Sequence, residues 1–299
     1  MIQPAYLQPG DRIGILCPAG SIAIEKVQKA VETLEKWGYQ VHVGKTVGSK
    51  SYSFSAPDEL RASELQEMLD DPHIKAILCA RGGYGMTRII EKINFSEFRK
   101  YPKWVIGFSD ITVLHAALQQ ENTMSIHGPM AAAFSKGEVG VPFIQSLKNV
   151  LEGVPQILTG KTHHLQKNGM AKGALVGGNL CMMTHLIGSS LQLDTKGKIV
   201  FIEDIGEHHY NLDRMMIQCA RAGVWENIAG LIVGGFTDLK DTPQDFGMDA
   251  YQMIQSHISH FQYPVCYDFS ISHEVNNWAV KEGGIYTLEV TDQGATLKG

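Results

Sequence analysis

The sequence predicts an α/β protein in two parts: a parallel sheet interleaved with helices in the N-terminal part, and a smaller mixed α/β domain after it. Three observations carry this reading. Short apolar runs alternate with amphipathic segments through the first third of the chain. Glycines and polar residues punctuate each exchange. The alternation then lapses over residues 137–172, where glycines and polar residues accumulate, and resumes in a different rhythm beyond. A chain of 299 residues is long enough for one large core or two smaller ones.

Residues 12–17 form the first apolar run, and residues 24–37 carry helical spacing up to Gly38, which stops the helix before a second strand at 39–43. After a polar stretch, Pro57 and Asp58 open a helix that runs to Leu69. The uninterrupted apolar run at 74–79 then suits a strand covered on both faces. Arg81-Gly82-Gly83-Tyr84-Gly85 turns into a helix through residue 93. Residues 104–107 form a further strand ending at Phe108-Ser109-Asp110, before another helix. The expected boundaries are an N-terminal domain at 1–136, a connection at 137–172 and a C-terminal domain at 173–299. Within the latter, strands are expected at 199–203, 228–233 and 285–290, and helices at 212–222 and 248–260. No internal repeat or low-complexity tract interrupts this order.

Composition narrows the function. Hydrophobic residues make up 44% and charged residues 19%, and 26 basic against 31 acidic side chains give a net charge of −5. The basic residues are dispersed, so the footprint of a nucleic-acid binder is missing. No apolar run approaches the roughly 20 residues of a membrane-spanning helix, and residues 1–12 lack the pattern of a secretory signal. Cys17, Cys79, Cys181, Cys219 and Cys266 are odd in number, widely spaced and without a CxxC pair, which suits free thiols in a reducing compartment. A cytoplasmic protein is expected.

Ser109 stands between an apolar strand and the start of a helix, where a sharp turn presents a hydroxyl at the carboxyl edge of a sheet and the Asp110 amide faces a developing oxyanion. Ile111 occupies the place of the second glycine of G-x-S-x-G, and the segment taken alone fits a simple helix N-cap equally well. The turn at residues 80–85 can offer backbone amides to negative charge. It matches neither the dinucleotide pattern nor the P-loop, and a tight turn requiring positive φ also explains it. Spacing alone selects no base among 12 histidines, and none of them forms a metal-ligand pattern, so neither metal nor cofactor is expected. Phe201-Ile202-Glu203-Asp204-Ile205-Gly206-Glu207 places carboxylates at the end of an apolar strand, where one can orient an imidazole. Taken alone, it reads as a polar loop.

Together these segments resemble the L,D-carboxypeptidase family of serine peptidases, which includes muramoyltetrapeptide carboxypeptidases and microcin C immunity proteins. The resemblance spans nearly the whole chain. It rests on Gly14-Ile15-Leu16-Cys17-Pro18-Ala19-Gly20, Ala80-Arg81-Gly82-Gly83-Tyr84-Gly85, Gly107-Phe108-Ser109-Asp110-Ile111-Thr112, His127-Gly128-Pro129, Gly177-Gly178-Asn179-Leu180 and Phe201-Ile202-Glu203-Asp204, in the family's order. It implies a triad of Ser109, Glu203 (in preference to Glu207) and His273, with the amides of Gly83 and Asp110 as the oxyanion hole. Nucleophile and base then belong to different domains. Arg81 and Gly82 are candidates for the substrate's terminal carboxylate on charge grounds. The chain departs from the family at Ser272-His273, where Gly-His is common, and at residues 277–283, where a proline-containing turn is common.

The resemblance further implies a Rossmann-like N-terminal domain, a smaller β-rich C-terminal domain, and a homodimer. The implied activity is hydrolysis of an L,D-peptide bond, releasing terminal D-alanine from a murein tetrapeptide in cell-wall recycling. Two alternatives stand beside it: a microcin C immunity-like hydrolase of aminoacyl-nucleotide amides, and a non-catalytic module binding a small peptide or sugar. In residues 137–172 the only aromatic side chain is Phe143, which favours the peptidase over the immunity-like hydrolase.

Overall fold

The computed structural model describes residues 1–299. In chain order the first part comprises β1 (Arg12–Leu16), α1 (Glu25–Lys36), β2 (Gln40–Val43), α2 (Asp58–Asp70), β3 (Ile74–Cys79), α3 (Met86–Ile89), β4 (Trp104–Gly107), α4 (Thr112–Gln120), β5 (Ser125–His127) and α5 (Val141–Glu152). There follow β6 (Ile157–Gly160), β7 (Gly169–Asn179), α6 (Leu180–Leu186), β8 (Ile199–Ile205), α7 (His209–Arg221), β9 (Gly230–Thr237), α8 (Ala250–Ile258), β10 (Val265–Cys266), β11 (Val280–Glu282), β12 (Ile285–Thr291) and β13 (Gly294–Lys298). They form two compact units, Met1–Val154 with Trp278–Glu282, and Pro155–Asn277 with Gly283–Gly299.

The sheet of the first unit has the order β11-β5-β4-β3-β1-β2, with β1 to β5 parallel and β11 antiparallel to β5. Burial on both faces explains the apolar runs: in β3 and β4 only Lys75 reaches solvent. Helix α1 buries Val27, Ala30 and Leu34, one helical face, in a core shared with Ile13, Ile15, Leu147 and Val150. The order β2-β1-β3-β4-β5 is doubly wound, and its direction reverses between β1 and β3. In such sheets the loops at the strands' carboxyl ends diverge at that point and leave a crevice.

The second unit is a mixed sheet of order β10-β9-β8-β7-β12-β13-β6. The long strand β7 joins its halves: Leu175–Asn179 run parallel to β8, while Gly169–Ala174 pair antiparallel with β12.

The expected boundaries need correction. The stretch at 137–172 is no connection: α5 packs Phe143, Ile144, Leu147, Val150 and Leu151 into the first unit, and β6 and the start of β7 belong to the second. The helical pattern was masked by Gly137 and Gly140 before it, by Pro142 in its first turn and by Gly153 after it. Gly153 is the left-handed C-cap, with φ 76°. The expected C-terminal domain also loses Trp278–Glu282 to the first unit. There Val280–Glu282 pair with His127–Ser125, the Trp278 and Phe143 rings lie 4.5 Å apart, and the Ala279 amide donates to Ser146 Oγ at 2.9 Å. A strand of three residues is too short to show alternation. The helix expected through residue 93 is one α-turn followed by a 3-10 turn at Ile90–Lys92. No helix is long and apolar enough to cross a membrane.

Candidate active site

Ser109 is positioned by close backbone packing after β4. A Cβ at Gly107 would lie 2.8 Å from Ile111 Cγ2, so the chain folds back tightly with buried Ile111 as its lid. This places the need for glycine before the serine, and it accounts for isoleucine in the later position. Phe108 is extended, Ser109 takes φ 66°, and the 3-10 turn Ser109–Ile111 runs into α4. A left-handed serine costs about 1–2 kcal/mol, and such strain persists where surrounding structure enforces it.

The turn after β3 lies against this serine. A Cβ at Gly82 would be 3.0 Å from Ser109 Cβ and 3.3 Å from its Oγ, so any side chain there would press on the serine, and glycine keeps the approach free of that pressure. Gly82 O accepts from the Gly20 amide at 2.8 Å, joining the loops after β1 and β3 at the switch point. Gly83 has φ 90°. Neither the Gly83 nor the Asp110 amide donates to another backbone carbonyl. The Asp110 side chain turns inward and accepts from the Met86 amide at 2.7 Å. Burial raises its carboxyl to about 6, against the lowering pull of the Met86 amide, the Arg61 charge and the Gly85 amide. Arg81 is exposed and donates to the Ser21 carbonyl at 2.6 Å.

The second unit holds the acid and the imidazole. Strand β8 shifts register against β9 between Ile202 and Asp204, and an irregularity of this kind re-aims a side chain. Glu203, at the shift, is fully buried, and its Oε2 lies 2.5 Å from Nδ1 of His273. His273 reaches it because β9 carries Gly234-Gly235. A Cβ at Gly234 would lie 2.1 Å from the Ile271 carbonyl, and one at Gly235 would lie 2.5 Å from Ser272 Cβ. The Gly235 amide donates to Ile271 O at 2.9 Å. Ser272, where the family often has glycine, fits because Gly235 opposes it. Its Oγ donates to Asn276 O at 2.9 Å and accepts from the Glu274 amide at 3.1 Å, which ties the loop.

Burial alone would lower the His273 imidazole, but the Glu203 carboxylate and, less strongly, Asp204 outweigh it, and the net direction is upward. Buried Asp204 accepts from Asn179 Nδ2 at 2.8 Å and from the Cys181 and Ile205 amides at 2.9 and 2.8 Å. Burial and the neighbouring Glu203 raise it to about 7. Glu207 instead accepts from Asn211 at 2.5 Å, which fits the preference for Glu203. Three other imidazole–carboxylate pairs exist: the acids of two are partly exposed, Asp213 at 31% beside His257 and Asp241 at 32% beside His209, against 0% for Glu203, and the third, Glu282, is as buried as Glu203 but lies 3.8 Å from His115. The Glu203 pair joins a dry carboxylate to its imidazole at 2.5 Å, an arrangement that holds an imidazole strongly. No group of three or more His, Cys, Asp or Glu side chains is placed to hold a metal ion.

Sequence reasoning passed over Gly234 and Gly235 as placing residues, although a Gly-Gly pair ending an apolar strand signals close backbone approach. It also passed over Asp204, which anchors the start of α6 through the Cys181 amide and ties it to the end of β7 through Asn179.

A doubly wound unit with a strained serine after β4, and a mixed unit with a buried carboxylate–imidazole pair, define a serine-type hydrolase of two α/β units. Models of the LD-carboxypeptidase N-terminal domain and the LD-carboxypeptidase C-terminal domain match residues 13–128 and 172–288. The "Probable murein peptide carboxypeptidase" of Bacillus subtilis is 32% identical over 304 aligned residues, covering 99% of this chain and 94% of that protein. The crystal structure of muramoyltetrapeptide carboxypeptidase from Oxalobacter formigenes superposes with a TM-score of 0.87 at 28% identity, over 96% of this chain and 98% of that one. A microcin C7 self-immunity protein shares the fold, with a TM-score of 0.87 at 20% identity over 100% and 99% of the two chains. The chain belongs to the LD-carboxypeptidase family, and it is a serine-type carboxypeptidase.

Proposed function

We propose that this enzyme hydrolyses the L,D-peptide bond of murein tetrapeptides, releasing terminal D-alanine in cell-wall recycling, with Ser109, His273 and Glu203 as its triad. The observation that carries the reading is the 2.5 Å contact between His273 Nδ1 and Glu203 Oε2. A carboxylate only accepts, so the proton sits on Nδ1 and Nε2 is left to act as the base. The triad takes its serine from one unit and its acid and base from the other, so the reading requires the folded enzyme to bring them into reach.

Ser109 Oγ attacks the scissile carbonyl carbon as His273 Nε2 takes its proton. The amides of Gly83 and Asp110 stabilise the resulting oxyanion. Collapse breaks the C–N bond, and His273 returns the proton to the departing amine of D-alanine. Water then attacks the acyl-enzyme with His273 again as base, releasing the shortened peptide and restoring the serine. Arg81 and the Gly82 turn hold the terminal carboxylate. The five free cysteines suit a cytoplasmic setting, and the homodimer that the resemblance implies is checked by light scattering.

Mass-spectrometric product analysis with a murein tetrapeptide and an aminoacyl-nucleotide amide side by side tests the reading. Release of D-alanine with the nucleotide amide intact is the expected result. Cleavage of the nucleotide amide alone would assign the immunity-like activity, and turnover of neither would leave a binding module.

A further inference from the structure

We propose that Arg61, on α2, is a positioning residue that sets the Gly82–Gly85 turn against Ser109; this rests on the triad reading above. Arg61 is fully buried, yet its fork joins three separate loops. Nη1 donates to Pro18 O at 2.6 Å, in the loop after β1, and to Gly85 O at 2.9 Å, at the end of the turn. Nε donates to Ala56 O at 3.1 Å, and Nη2 pairs with Asp58. The guanidinium also lies 4.9 Å from the centre of the Phe54 ring, which packs at 5.6 Å on Tyr84 of the same turn. A Cβ at Gly85 would stand 2.6 Å from Nη1, so the turn is seated directly on the arginine.

The other end of that turn touches the nucleophile. Gly82 abuts Ser109, Gly83 presents its amide, and Asp110, next to the serine, holds the Met86 amide just beyond Gly85. Arg61 thus fixes one end of a short rigid segment whose other end places an oxyanion donor. A buried arginine is an expensive way to hold a loop. Lysine cannot replace it, because an ammonium offers donors from one point rather than from a planar fork.

The test compares wild-type, Arg61→Lys, Asp58→Asn and Ser109→Ala enzymes for kcat, KM, thermal midpoint, and affinity for a peptidyl boronate against the product peptide. The boronate becomes tetrahedral on a serine and reads the oxyanion donors, whereas the product does not. Misplacement of about 1 Å costs on the order of 100-fold, so Arg61→Lys is expected to lower kcat and boronate affinity by about 100-fold while KM and product affinity stay within about twofold. Asp58→Asn loosens the fork from its rim, and it is expected to show the same split at several-fold size even if Arg61→Lys folds poorly. Wild-type kcat in both variants would overturn the proposal. So would equal losses in boronate and product affinity that track a fall in thermal midpoint. Turnover by Ser109→Ala would instead overturn the triad reading.

Discussion

His273 Nδ1 meets Glu203 Oε2 at 2.5 Å although the two residues sit 70 positions apart in the chain, one on a strand and the other on a loop. The β8 irregularity aims the carboxylate, and two glycines on β9 let the loop bring the imidazole to it.

Removing the carboxylate's charge changes both rate and pH dependence. In the proposed triad His273 must be neutral to take the serine proton, and Glu203 holds it above its ordinary value, so activity is expected to rise with pH through a midpoint above that of a free imidazole. Glu203→Gln is expected to lower kcat by roughly 10³–10⁴-fold and to move that midpoint to lower pH. A pH–rate profile of kcat/KM checks this, and an unmoved midpoint would speak against the pair.

Strain at Ser109 gives a stability signature separate from activity. At φ 66° glycine is free of the penalty that alanine keeps. Ser109→Gly is therefore expected to be more stable than Ser109→Ala by about 1 kcal/mol, with both inactive. Denaturant unfolding of the two variants measures the difference.

The close approach at Gly234 is testable by adding one methyl group. Gly234→Ala would press its Cβ on the Ile271 carbonyl, a 2.1 Å contact. It is expected to cost about 1–3 kcal/mol and to displace His273, cutting kcat by about 100-fold or more. Gly247→Ala is the control: nothing lies within 4 Å of its added Cβ. Only its left-handed backbone is penalised, by about 1–2 kcal/mol, and kcat should be unchanged.

The buried carboxyls make stability depend on pH. Asp110 is raised to about 6 and Asp204 to about 7. Between the ordinary carboxyl value and these values the native state keeps protons that the unfolded chain has lost, so stability falls as pH rises. His273, also raised, adds to the fall above its ordinary value. His115, lowered to about 4 by burial, opposes it only up to the ordinary imidazole value. The thermal midpoint is expected to be higher at pH 5 than at pH 8; scanning calorimetry across that range checks the sign.

Much of the first unit was legible because a parallel sheet writes its strands as apolar runs and its turns as glycines: β3 and β4 fall where the pattern puts them. Helix α5 was hidden by the glycines that bound it, and β11 by its length. Ser109 showed itself as a hydroxyl at a strand-to-helix turn. Glu203 and His273 did not, because nothing local marks a pair whose meeting depends on Gly234 and Gly235 in a third segment. The ordered motifs of the family supplied what local pattern could not.

The proposed triad puts the acyl group on Ser109. Rapid quenching during turnover of a murein tetrapeptide, followed by peptide mapping, is expected to find the acyl mass on the Ser109 peptide, with neither adduct nor turnover in a normally folded Ser109→Ala enzyme. Wild-type turnover by that variant, or an adduct on another residue, would contradict the account.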